Sequence, residues 1–124
     1  MIGVRSLVAV VDDDESVRES LPHLLRRFGY AAQAFSSAEE FLGSESISRT
    51  GCLILDIAMP GMSGRALQVE LMRRQRTIPI VFITAHVDDT IRPRVLEAGA
   101  VECLFKPFSA TALKAAVVAA FRVG

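Results

Sequence analysis

Five short apolar runs, separated by stretches with helical periodicity, constrain this chain more than any other feature. They are Leu7–Val11, Ala31–Phe35, Cys52–Asp56, Pro79–Ile83 and Val101–Leu104. Leu7–Val11 is uninterrupted, as expected for a strand covered on both faces. Ala31–Phe35 is the weakest of the five and reads as an edge strand. Pro79 is confined to the first residue of its run, where a missing N–H costs no ladder bond. The run ending in Asp56 stands out, because a lone carboxylate closes it and a Pro-Gly loop, 58–64, follows at once.

The intervening stretches repeat their apolar residues at helical spacing. Val17, Leu21, Leu24, Leu25 and Phe28 form one stripe, with Gly29 as its stop. Pro22 lies inside that stripe, which predicts a bend between Arg18 and Pro22 rather than a helix end. Ser37-Ala38-Glu39-Glu40 has capping-box spacing and opens a short helix carrying Phe41 and Leu42. Gly43 to Gly51 reads as polar loop. A third helix starts at Ser63 or Gly64, with Leu67, Leu71 and Met72 facing inward. Asp88 and Asp89 offer caps for a fourth, but Pro93 predicts a late start, and Gly99 ends it. Ser109 caps the last helix, whose stripe is Leu113, Ala116, Val117, Ala120 and Phe121. Strict alternation of five strands and five helices makes right-handed parallel βαβ units and a three-layer α/β sandwich. Five strands favour the flavodoxin-like order 2-1-3-4-5 over the dinucleotide-binding one.

The 124 residues, read as a single domain over 1–124, suffice to bury a core without staples. Apolar residues make up 51% and aromatics 6%, so that core is aliphatic. Fourteen basic side chains balance fourteen acidic ones, which disfavours direct nucleic-acid binding by this domain. The pairs Arg26/Arg27 and Arg73/Arg74 fall near predicted helix C-termini, where the helix dipole favours them. Cys52 and Cys103 have no metal or redox spacing and read as inert thiols of a reducing compartment. Met1 to Ser6 is too short and too weakly apolar for a secretion signal, and no run approaches membrane-spanning length. The chain reads as cytoplasmic.

In a parallel sheet the carboxyl ends of all strands share one edge. Asp12 and Asp13, Asp56, Thr84 and Lys106 all stand there. Three clustered carboxylates repel one another unless a cation sits among them, and hard oxygen ligands with open positions suit Mg²⁺. A lysine and a hydroxyl are what an incoming phosphoryl group needs, since its transfer depends on positioning and charge neutralisation.

Four motifs in this order carry a resemblance: Val11-Asp12-Asp13; the segment from Asp56 through Pro60-Gly61 to Gly64; Ile83-Thr84-Ala85; and Lys106-Pro107-Phe108. With them the chain resembles, over essentially its whole length, the receiver domain of two-component response regulators. The resemblance implies that Asp56 accepts phosphate from a sensor histidine kinase. It implies Mg²⁺ held by Asp13, Asp56 and the backbone carbonyl of Ala58, with Asp12 helping through water. Thr84 would be the switch hydroxyl and Lys106 the counter-ion of the phosphoryl group, with a cis bond before Pro107. Ala58 and His86 would influence how water reaches the phosphate.

The implied role is that of a phosphorylation-activated switch, not an enzyme beyond its own phosphotransfer and slow autodephosphorylation. Its readout would be the surface of the fourth helix, fifth strand and fifth helix, acting on an output domain or partner, with homodimerisation on phosphorylation possible. The stretch 99–108 is most similar to receivers that precede a helix-turn-helix output domain, and no such domain lies in these residues. One position departs from the family. An aromatic usually stands three residues before the lysine, and here it is Cys103. Two other readings are weaker. A flavin- or nucleotide-binding protein would need a glycine- or hydroxyl-rich phosphate loop where this chain has aspartates. A receiver-like module that never takes phosphate predicts losses among Asp12, Asp13, Asp56, Thr84 and Lys106, and none is lost. A hydrolase lacks support, because there is no Gly-x-Ser-x-Gly elbow and His23 and His86 have no triad partners.

Overall fold

The computed structural model describes residues 5–86 and 88–123, so the reading of the first six residues falls mostly outside it. Strands β1 (Leu7–Val11), β2 (Ala31–Phe35), β3 (Thr50–Asp56), β4 (Ile80–Thr84) and β5 (Glu102–Phe105) alternate with five helices. These are α1 (Glu15–Arg27), α2 (Ala38–Leu42), α3 (Gly64–Arg73), α4 (Ile91–Glu97) and α5 (Ala110–Val123). All strand pairs are parallel and the sheet order is β2-β1-β3-β4-β5, the flavodoxin-like order expected.

Period-two alternation along the buried strands divides the core into two layers. Val8, Val10, Ile54, Val81 and Ile83 face α1 and α5, meeting Leu21, Leu25, Leu113 and Val117. Val11, Leu53, Leu55 and Phe82 face the other way, onto Phe41, Leu67, Leu71 and Val95 of α2, α3 and α4. Every residue of β1, β3 and β4 is buried, whereas edge strand β2 alternates.

Local chemistry explains the helix ends. Asp14 caps α1 by accepting from the Ser16 N–H at 2.9 Å, and Gly29 follows its C-terminus at φ 98°. The helix continues through buried Pro22. In the capping box of α2, Glu40 N–H donates to the Ser37 hydroxyl, and the Glu40 carboxylate accepts from the Ser36 N–H. Ser63 and Ser109 cap α3 and α5.

Several expectations need correction. The polar stretch after Gly43 is not all loop. Residues Glu45–Arg49 form a 3-10 turn, capped by the Ser44 hydroxyl, and Ile47 turns into the core. Strand β3 accordingly begins at Thr50, whose hydroxyl donates to the Ser46 carbonyl at 2.9 Å. Met72 faces solvent and is 63% exposed. The inward face of α3 is Leu67, Gln68 and Leu71, and one residue past Leu71 a helix has turned through about 100°. Neither Asp88 nor Asp89 caps α4. The Asp88 carboxylate instead accepts from both the backbone N–H and the hydroxyl of Thr90, and the helix begins at Ile91. That late start places Pro93 third in the helix, among the N–H groups that have no intrahelical partner in any case.

Candidate phosphoacceptor site

The ladder hydrogen bonds persist to the carboxyl edge of the sheet and hold the strand ends in place. Asp12 N–H donates to the Phe35 carbonyl at 3.2 Å, Ile57 N–H to Ile83 at 3.1 Å and Lys106 N–H to Thr84 at 2.8 Å. This backbone frame brings Asp12, Asp13 and Asp56 together, with one carboxylate oxygen of each within 4.8 Å of the other two. Asp12 and Asp56 are buried and Asp13 is exposed.

Lys106 joins the cluster, its Nζ donating to Asp12 Oδ2 at 2.9 Å. Asp12 Oδ1 accepts from the Asp14 N–H at 2.9 Å, and Arg18 Nη1 donates to the Asp12 carbonyl at 3.1 Å. Buried Thr84 offers its hydroxyl oxygen to the His86 N–H at 3.1 Å. The bond between Lys106 and Pro107 is cis. Ala58 and His86 are exposed beside these groups, and His23 lies apart on α1.

Electrostatics give Asp56 an unusual character. Burial, and then the neighbouring charges of Asp12 and Asp13, push its carboxyl up to about 7, with Lys106 pulling the other way. Burial acts to lower the Lys106 ammonium, but its hydrogen bond to Asp12 and the charges of Asp12, Asp56 and Asp14 outweigh that and raise it. The donor set fits a hard divalent cation, because such an ion would offset both the burial and the like charges that raise Asp56.

Two contacts shape the loop between β3 and α3. Gly64 packs so closely that a Cβ there would lie 2.3 Å from the Asp56 carbonyl oxygen, and its N–H donates to Ile57 at 2.9 Å. Glu39 of α2 reaches across to the same loop, its Oε2 accepting from the Met62 N–H at 3.1 Å. The spacing of residues 37–40 signals only a helix cap, and a partner 23 positions away leaves no local mark.

Cys103 is buried in the layer of Phe82 and Val95, where the family's aromatic would stand. Phe105, two residues on, pairs in register with Thr84.

A doubly wound parallel sheet carrying an acidic pocket, a lysine and a hydroxyl at its carboxyl edge defines a phosphoryl-transfer switch module. A family model for the response regulator receiver domain matches residues 8–118, and this chain belongs to that family. It is 47% identical to nodulation protein W of Bradyrhizobium diazoefficiens over 118 residues, 95% of this chain and 52% of that protein. Transcriptional regulatory protein FixJ of Azorhizobium caulinodans is 39% identical over 110 residues, covering 89% of this chain and 52% of FixJ. The solved structure of response regulator StyR superposes with a TM-score of 0.87 at 47% identity, over 94% of this chain and 59% of that one. The chain therefore spans about half the length of the curated relatives it matches. It is a receiver, the phosphorylation-activated module of two-component signalling, and receivers use Mg²⁺ at an acidic pocket like the one seen here. Among the described residues no helix is long and apolar enough to cross a membrane.

Proposed function

We propose that Asp56 accepts a phosphoryl group from a sensor histidine kinase and that this modification switches the surface of α4, β5 and α5. The observation that carries the reading is the convergence of the Asp12, Asp13 and Asp56 carboxylates, with the Lys106 ammonium bound to the same cluster. Asp13, Asp56 and the Ala58 carbonyl would hold Mg²⁺, with Asp12 acting through water. Bound there, the ion supplies charge neutralisation for the phosphoryl oxygens.

The ionised Asp56 carboxylate attacks phosphorus in line, and the bond from phosphorus to the kinase histidine nitrogen breaks as the new O–P bond forms. Lys106 then exchanges its contact with Asp12 for the phosphoryl oxygens. The Thr84 hydroxyl, which accepts from His86 before phosphorylation, donates to the new anion. A phosphoryl group adds one to three charge-assisted hydrogen bonds in such a setting. Nearly complete conversion of a two-state surface needs roughly 5.5 kcal/mol of differential binding. Those contacts supply part of it, and homodimerisation or docking of an output domain supplies the remainder. Ala58 and His86 would set how readily water removes the phosphate.

In the whole protein the partner of this surface would be an output domain that controls transcription in the cytoplasm. With no net charge, this domain would leave DNA contacts to that partner. Incubation with acetyl phosphate or phosphoramidate and Mg²⁺, read by intact mass, tests the proposal. One phosphoryl group is expected on the wild type and none on Asp56→Asn. No added mass, or addition that survives the substitution, would refute the reading and favour a receiver-like module that works unphosphorylated.

A further inference from the structure

Glu39 sits in the first turn of α2 and makes no ion pair with any described lysine, arginine or histidine. Its carboxylate is not among those that share the acidic cluster. What it does is hold a backbone. Oε2 accepts from the Met62 N–H at 3.1 Å, and a Cβ at Gly61, where φ is +74°, would lie 2.9 Å from that same oxygen. The carboxylate thus lies against two consecutive loop residues, and the lack of a side chain at Gly61 makes room for it.

At its far end the loop is held by the Gly64 N–H on Ile57, and in between Met59 is buried in the α2–α3–α4 layer. Ala58 lies between Asp56 and these anchors, so the path of its backbone follows from them. We infer that Glu39 is a positioning residue of the phosphoacceptor site, fixing the β3–α3 loop so that the Ala58 carbonyl is presented beside Asp56. The inference rests on the reading of that site given above. A side-chain oxygen suits the task, because the Met62 N–H needs an acceptor at hydrogen-bond distance and finds one there. The first turn of a helix also favours the negative charge.

The test compares Glu39→Ala with Glu39→Gln, whose side-chain carbonyl can still accept from Met62. Glu39 is exposed, so both variants are expected to fold. Hydrogen exchange of residues 57–63, measured without metal or phosphodonor, should accelerate about 5-fold or more in the alanine variant and stay near wild type in the glutamine variant. The Mg²⁺ concentration that half-saturates thermal stabilisation should rise about 3- to 10-fold in the alanine variant, the range expected for one lost hydrogen bond. It should stay within about 2-fold of wild type in the glutamine variant, and the phosphorylation rate at saturating Mg²⁺ should be nearly unchanged in both. Wild-type exchange and wild-type Mg²⁺ dependence in Glu39→Ala would overturn the inference. Equal impairment of both variants would overturn it too, by assigning the effect to charge. If Mg²⁺ fails to stabilise even the wild type, the metal reading falls, and the exchange data alone decide the role of Glu39.

Discussion

Asp56 and Asp12 are both buried carboxylates at neighbouring strand ends, yet they are treated differently. Asp12 holds the Lys106 ammonium and the Asp14 N–H, while Asp56 is buried beside two like charges that Lys106 only partly offsets. Its pKa of about 7, against an ordinary value of 3.8, means the folded state binds this proton more tightly than the unfolded state does. The stability this group contributes is therefore fully present below about pH 4 and is lost as pH rises through about 7. Three pKa units correspond to a penalty on the order of 4 kcal/mol at high pH. Metal-free melts should show Asp56→Asn gaining several degrees over wild type near pH 8 and little near pH 4. The same logic makes apparent Mg²⁺ affinity climb with pH, since the proton must leave, and calorimetry in buffers of different ionisation heat should register its release. Lys106→Ala, which removes the one opposing charge, should push the Asp56 titration higher still, as followed by carboxyl NMR.

At the scale of elements, the site depends on how closely α3 begins behind β3. A methyl group on Gly64 would collide with the Asp56 backbone, which cannot yield as a flexible side chain would. Gly64→Ala should therefore cost about 2–4 kcal/mol in denaturant unfolding and weaken Mg²⁺ binding together with it. The proposed readout side carries a solvated ion pair. Arg92 of α4 meets Glu102 of β5 at 2.7 Å, but both side chains are partly solvated. Such a pair is worth less than about 1 kcal/mol. Arg92→Ala should lower stability by no more than that in urea unfolding, which fits the proposal that this element shifts when Asp56 takes a phosphoryl group. The paired arginines lie in or just after the last turns of their helices, where Arg73 and Arg74 share Glu70 and Arg26 donates to the Ala32 carbonyl.

The whole molecule stands on its two aliphatic layers rather than on a metal. Chelation by EDTA should leave the far-ultraviolet circular dichroism unchanged, and only the Mg²⁺-dependent part of the melting temperature should disappear. The two cysteines lie in opposite layers, Cys52 facing α1 and α5 and Cys103 facing the α3–α4 side. Burial pushes the Cys52 thiol up to about 12 and also raises Cys103, so neither should react with a thiol reagent until the protein unfolds.

Sequence alone determined the sheet order and the edge on which Asp12, Asp13, Asp56, Thr84 and Lys106 meet. Parallel alternation sends every strand end to one side, and the apolar runs mark those ends to within one residue. Strands β4 and β5 run on to Thr84 and Phe105, where the sequence predicts ends at Ile83 and Leu104. Sequence also marked the caps at Ser37 and Ser109, whose partners lie three residues away, while leaving the start of α3 between Ser63 and Gly64. Only the tertiary structure decided what depends on distant neighbours. Met72 faces outward because the stripe of α3 is narrower than its apolar count suggests. Residues 45–49 coil because Ile47 has core to fill, and Asp88 turns back on Thr90 rather than capping α4. Above all, the grip of Glu39 on Met62 and the contact of Lys106 with Asp12 join residues far apart in the chain. Hydrogen bonds of that kind are set by the packing of whole elements, which no local pattern encodes.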